Sequence, residues 1–242
     1  MSNAHSPLNE GSGAGATYPL ARRHAGLAAP DSRLAVEVQR VLRNTYALLA
    51  MTLLFSAGVA AASVAMQLPA PGMVITLVGY FGLLFAVHKL QNSGWALPAV
   101  FALTGFMGYT LGPVLSHSLG LPGGAQTVMM ALAATGTTFL LLSAYVLLTR
   151  RDFSYLQGFL FVGMVIALLA GLAAVFFEIP ALGLAVSAMV ALLSAGLILM
   201  ETSRIVNGGE TNYVLATVGL YVSVFNLFTS LLSLFGLGGS DE

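Results

Sequence analysis

The sequence predicts an all-α, polytopic membrane protein with seven transmembrane helices, and three observations lead there. Hydrophobic residues make up 57% of the 242 positions and charged residues 7%, far from the roughly one-quarter charged composition of a soluble domain. Seven runs approach the about 20 apolar residues that a helix needs to cross a hydrocarbon core. The nine basic residues fall only in the N-terminal segment and in alternate separators between those runs.

Residues 1–30 are rich in Gly, Ala, Ser and Pro and read as a flexible tail. Asp31 or Ser32 then caps a helix over 31–43, in which Leu34, Val38, Val41 and Leu42 recur on one face while Arg33, Glu37, Arg40 and Arg43 decorate the rest. Two readings fit this segment: a membrane-surface amphipathic helix feeding the first span, or a basic flank that orients it. The first apolar run starts only near Thr45, which is not the layout of a cleaved signal peptide.

The spans lie near 44–66, 72–88, 96–116, 126–148, 155–177, 181–200 and 213–235, inside a membrane domain of 44–237 with a short C-terminal tail at 238–242. Turn chemistry separates them: Pro69, Pro71 and Gly72; Asn92, Ser93 and Gly94; Pro122, Gly123 and Gly124; Glu178 and Pro180; Asn207, Gly208 and Gly209. Between spans four and five stand Arg150, Arg151 and Asp152. The short connections predict antiparallel hairpins. With the N-terminus cytoplasmic, Arg22, Arg23, Arg33, Arg40, Arg43, Lys89, Arg150, Arg151 and Arg204 all fall inside, as the bias of basic residues toward cytoplasmic loops requires. Seven spans then put the C-terminus outside. No basic residue follows Arg204, so charge alone leaves open that the last run does not cross.

Several chemistries have no residues to run on. A formal net charge of zero argues for neither nucleic acid nor an acidic substrate. There is no cysteine, hence no disulfide, thiolate nucleophile or cysteine metal cluster. His5 and His24 lie in the tail, and His88 and His117 fall at opposite membrane faces, so no metal site is expected. No span carries an aspartate, and the nucleophile-elbow and phosphate-loop patterns are missing. The expectation is a protein that is not an enzyme and holds no cofactor.

Two features stand out in the last third. In span seven Ala216, Gly219, Ser223, Asn226, Ser230 and Ser233 recur at spacings of three and four, making one helix face small and polar. In lipid such a face goes first to helix contacts, because close approach and side-chain hydrogen bonds replace the missing hydrophobic drive at about 0.6 kcal/mol per bond; a water path is the alternative. Asn226, near the middle of that span, needs protein partners. Gly105, Gly108 and Gly112 form a second small-residue surface able to receive another helix. The other feature is Glu201, which follows the apolar run Ala195–Met200. A carboxylate costs about 2.5–3.5 kcal/mol at the bilayer centre and less near the edge, so this one calls for a cation. Arg204 is the local candidate and Lys89 the long-range one.

The stretch ETSRIVNGGETNYVLATVGLYVSVFNLFTSLLSLFG, Glu201–Gly236, resembles the C-terminal signature of the Bax inhibitor-1 family, in its bacterial YccA branch. VLRNTY at 41–46, TLVGYFGLLF at 76–85, TGFMGYTLGP at 104–113 and SAYVLLTRRDFSYL at 143–156 extend the likeness over roughly residues 40–237. The resemblance implies a bundle with the seventh helix central. It also implies an inner-membrane protein, C-terminus periplasmic, that binds and restrains FtsH, the membrane-anchored AAA+ zinc protease, in membrane protein quality control. Other members resemble pH-sensitive calcium leaks, in which two carboxylates share a proton and face a basic residue. Carried over, the first acid falls on Glu201, the base on Lys89 and the second acid on Ser223. That departure removes one oxygen ligand for Ca2+ and the like-charge coupling of a proton-locked gate. Together with His88 and Asn226, these residues are the candidates for sensing an ion or a proton under that alternative.

Overall fold

In the computed structural model the backbone is described for residues 30–238 and side chains for 36–236; the expectations for the 1–30 tail and for the last residues, 239–242, lie outside them. Seven helices follow one another: α1 Pro30–Ala65, α2 Met73–Leu90, α3 Ala96–Leu119, α4 Gly124–Thr149, α5 Gln157–Phe176, α6 Pro180–Val206 and α7 Tyr213–Gly238, with a 3-10 turn at Ser154–Leu156 before α5. All seven are long and apolar enough to cross a membrane. The chain is a multi-pass membrane protein. The 31–43 segment is not set apart from the first span but forms the beginning of a single 36-residue helix.

Local chemistry explains where the helices stop. α1, α5 and α6 close in the same way, with a left-handed residue just past the end: Gln67 (φ 50°), Glu178 (φ 51°) and Gly208 (φ 74°). After α6 the Gly209 N–H donates to Arg204 O (2.8 Å) and Gly208 N–H to Ile205 O (3.2 Å), the paired bonds of a Schellman ending. α6 opens on Pro180, where a missing N–H costs nothing. α3 carries Pro113 in its interior, which leaves the Tyr109 carbonyl without its helical donor. Ser63 of α1 donates its hydroxyl to that oxygen (3.4 Å), the kind of side-chain repair that tolerates proline in a membrane helix.

α7 is the central helix. It packs chiefly against α6, α4, α1 and α3, whereas α2 leans on α3 and α5 on α6. Tyr221 of α7 is fully buried and donates to Ser56 Oγ of α1 (2.6 Å). The glycine surface of α3 receives α1: a Cβ at Gly105 would sit 3.0 Å from the Phe55 ring, and Cβ atoms at Gly108 and Gly112 would run into the Ser56 carbonyl and the Ser63 side chain. Close backbone approach of this sort is how helices associate where lipid offers no hydrophobic drive. The α2–α3, α4–α5 and α6–α7 loops meet at one end of the bundle, with Gly208 against Val38 of α1. Arg40, Arg43, Lys89, Arg150, Arg151 and Arg204 therefore share that end.

Candidate functional site

The polar stretch 201–212 is the junction of the basic end. α6 runs six residues beyond its apolar stretch, to Val206, so Glu201 lies on its last two turns rather than in a loop. Arg204, one turn on, stands between two carboxylates, 3.9 Å from Glu201 and 3.4 Å from Glu210. The turn at Gly208 brings Glu210 back, and its carboxylate accepts the Asn212 N–H (2.9 Å). Asn212 in turn caps α7, accepting the Val214 N–H (2.9 Å). Its amide donates to Gln91 Oε1 (3.3 Å) and Asn92 Oδ1 (3.2 Å) in the α2–α3 loop. Ser203 performs the matching task for the α4–α5 loop: it donates to Arg151 O (3.1 Å) and accepts the Phe153 N–H (2.9 Å). In that loop Asp152 accepts the Ser154 N–H (2.8 Å), and its hydrogen bonds with Ser154 hold its carboxyl below the usual range.

Glu201 points inward along α7. Its carboxyl carbon lies 2.9 Å from the position a Cβ would take at Gly219, so the absence of a side chain there makes room for the acid. Beside it is a chamber of about 300 Å³ lined by Tyr80, Leu84 and His88 of α2 and by Gly219 and Ser223 of α7. A second cavity, about 540 Å³, reaches Glu201 and Arg204 from the α5 side past Gln157 and Phe161. A third, about 590 Å³, lies deeper between α2 and α5 and has Asn226 in its wall. Leu197 borders all three, and Tyr80, Phe161 and Met164 are shared between neighbours. Together they make one lateral crevice, walled by α2 and α5 and floored by α6 and α7.

Glu201, His88 and Ser223 are thus brought to one chamber, and Asn226 to the crevice below it. His88 turns Nδ1 toward Leu84 O (3.4 Å), and Ser223 donates to Gly219 O (2.9 Å). The cation beside Glu201 is Arg204; Lys89 is exposed and takes part in no ion pair among the described residues. The other members of the α7 seam divide by neighbour. Ala216 and Ser230 are buried, Gly219 meets α6 through Glu201, and Ser233 receives a hydrogen bond from Ser187 of α6 (3.2 Å). Glu210 is the member that sequence reasoning missed. Its signal was the Gly208–Gly209 reversal, which returns the chain onto Arg204. Among the described residues, no three histidines or acids converge as metal ligands would.

Chemically, two carboxylates share one guanidinium at the mouth of an apolar crevice, leaving a formal charge of −1 there. A family model described as inhibitor of apoptosis-promoting Bax1 matches residues 38–240. The chain belongs to the Bax inhibitor-1 family. Among the proteins it resembles are three from bacteria. An uncharacterised Pseudomonas aeruginosa protein is 53% identical over 206 residues, 85% of this chain and 93% of that one. The Escherichia coli protein named modulator of FtsH protease YccA is 48% identical over 211 residues, 87% of this chain and 96% of its own length. A Vibrio cholerae membrane protein is 42% identical over 208 residues, 86% and 93% of the two chains. Since the match to YccA runs nearly end to end, the Bax inhibitor-1 bundle is common to both.

Proposed function

We propose that this protein lies in the inner membrane, N-terminus cytoplasmic, and binds and restrains the protease FtsH. The observation that carries this is the 48% identity over 96% of the length of the relative named modulator of FtsH protease. Gathering of the described basic residues at one end supports the orientation, with that end cytoplasmic. The tail ahead of α1 offers the protease a polar segment to grip, while a bundle whose central helix is tied to its neighbours resists extraction. Co-purification of the full chain with FtsH, combined with the rate of degradation of a membrane substrate, tests the reading. Association and slowed degradation are expected; neither appearing removes it. Deleting residues 2–30 tests the tail separately: unchanged binding and inhibition would discard that route alone.

A second reading, a leak for Ca2+ or protons, draws on the chamber that joins Glu201, His88 and Ser223. Purified protein in calcium-loaded liposomes separates the two. Little pH-dependent flux is expected under the first reading, and a large flux abolished by Glu201→Gln would install the second.

A further inference from the structure

The crevice between α2 and α5 is open to the bilayer at a depth where every polar group needs a protein partner. Asn226, near the midpoint of α7, is only partly buried and lines it. Its backbone oxygen lies 3.2 Å from the Thr229 hydroxyl, but among the described residues its carboxamide has no hydrogen-bond partner. The cost of an unsatisfied group in hydrocarbon is several kcal/mol, so an occupant that hydrogen-bonds to Asn226 is favoured over one that merely fills space. At the mouth, Arg204 is shared by Glu201 and Glu210, and the surplus charge is negative.

We propose that this crevice seats a transmembrane helix of the partner protease, held by Asn226 in the membrane and by the Glu201 and Glu210 carboxylates at its mouth. The inference rests on the reading that the chain engages FtsH. A helix is selected over a lipid because an acyl chain offers Asn226 neither donor nor acceptor, and a basic side chain on that helix would find two carboxylates against the one Arg204 guanidinium. The occupant's signature follows from the spacing of the two grips. Glu201 touches α7 at Gly219, and Asn226 lies seven residues further, about 10 Å along a helix. The seated helix therefore carries a Lys or Arg at its cytoplasmic end and, about seven residues deeper on the same face, a side chain that hydrogen-bonds an amide.

Photo-crosslinking residues placed in the full chain in native membranes test this. Leu168 of the crevice wall is the probe position; Leu54 of α1 and Leu140 of α4, exposed but outside the crevice, are the controls. Adducts to the membrane segment of FtsH are expected from position 168 and not from the controls. Asn226→Leu should lower both the adduct and co-purification about three- to tenfold, the size of one or two membrane hydrogen bonds, while Asn226→Gln retains them and both variants melt like the parent. Co-purification without a crevice adduct, adducts to lipid alone, adducts from the control faces only, or unchanged binding by Asn226→Leu would each overturn the inference and leave the functional reading standing. No association of the parent chain with FtsH would overturn both.

Discussion

At Gly219 and Glu201 the two last helices meet through an acid and a missing side chain. Replacing Gly219 by alanine puts a methyl 2.9 Å from the Glu201 carboxyl carbon. Because the far end of a glutamate can swing away, the expected cost lies near the lower end of the about 1–3 kcal/mol typical of overpacking, read as a lowered melting temperature in detergent. The Glu201–Arg204 separation should change with it, visible in a structure of the variant. Glu201 was legible in the sequence because an acid directly after an unbroken apolar run has few harmless places to be. Its partners were less so. Arg204 and Lys89 were both within reach of a linear argument, and only the turn geometry that returns Glu210 decides for Arg204. The crevice below could not be read at all: Asn226 belongs to a regular small-residue seam, and sequence periodicity does not say which neighbour leaves a gap.

Among the elements, α1 and α3 show how small residues set a helix separation. Gly108 lies over the Ser56 carbonyl, whereas Gly58 on α1 has open space around it. Gly108→Ala should therefore push two backbones apart and cost about 1–3 kcal/mol or more, because no side chain can yield. Gly58→Ala should be neutral or stabilising, since alanine is the better helix former by about 1 kcal/mol. Thermal melts of the two variants side by side check this. The glycine surface itself was visible in the sequence, but its partner was not, since spacing names a face without naming what lies opposite. Ser203 gives a loop-level counterpart. Ser203→Ala removes the acceptor of the Phe153 N–H and the donor to Arg151 O. The expected result is faster tryptic cleavage after Arg150 and Arg151 in folded protein, with α-helical content unchanged; equal cleavage rates would mean that Ser203 does not hold the loop.

For the molecule as a whole, the number of crossings and the position of the basic residues were the most legible facts. Hydropathy marks each span independently of its neighbours, and length alone decides whether it can cross. Helix ends were harder. α6 overruns its apolar stretch with Thr202, Ser203 and Ile205 fully buried, Ser203 bonded to the α4–α5 loop and Ile205 in the core shared with α1, α3 and α7, a tertiary effect that no window of hydropathy contains. An odd number of crossings makes a clear prediction: reporters fused to the two termini should report opposite sides of the membrane. Both reporting the same side would mean that α7 does not span and would take away its central place in the bundle.

Asn212 and Ser203 tie the α2–α3 and α4–α5 loops to the α6–α7 junction, which is synthesised after both of them. During biogenesis, then, the first five helices must wait with both loops unfastened until the final hairpin arrives. A chain truncated before Glu201 would hold those loops only weakly, and its arginine-bearing segment would be open to surveillance proteases. Closure of this face therefore waits on the order of translation.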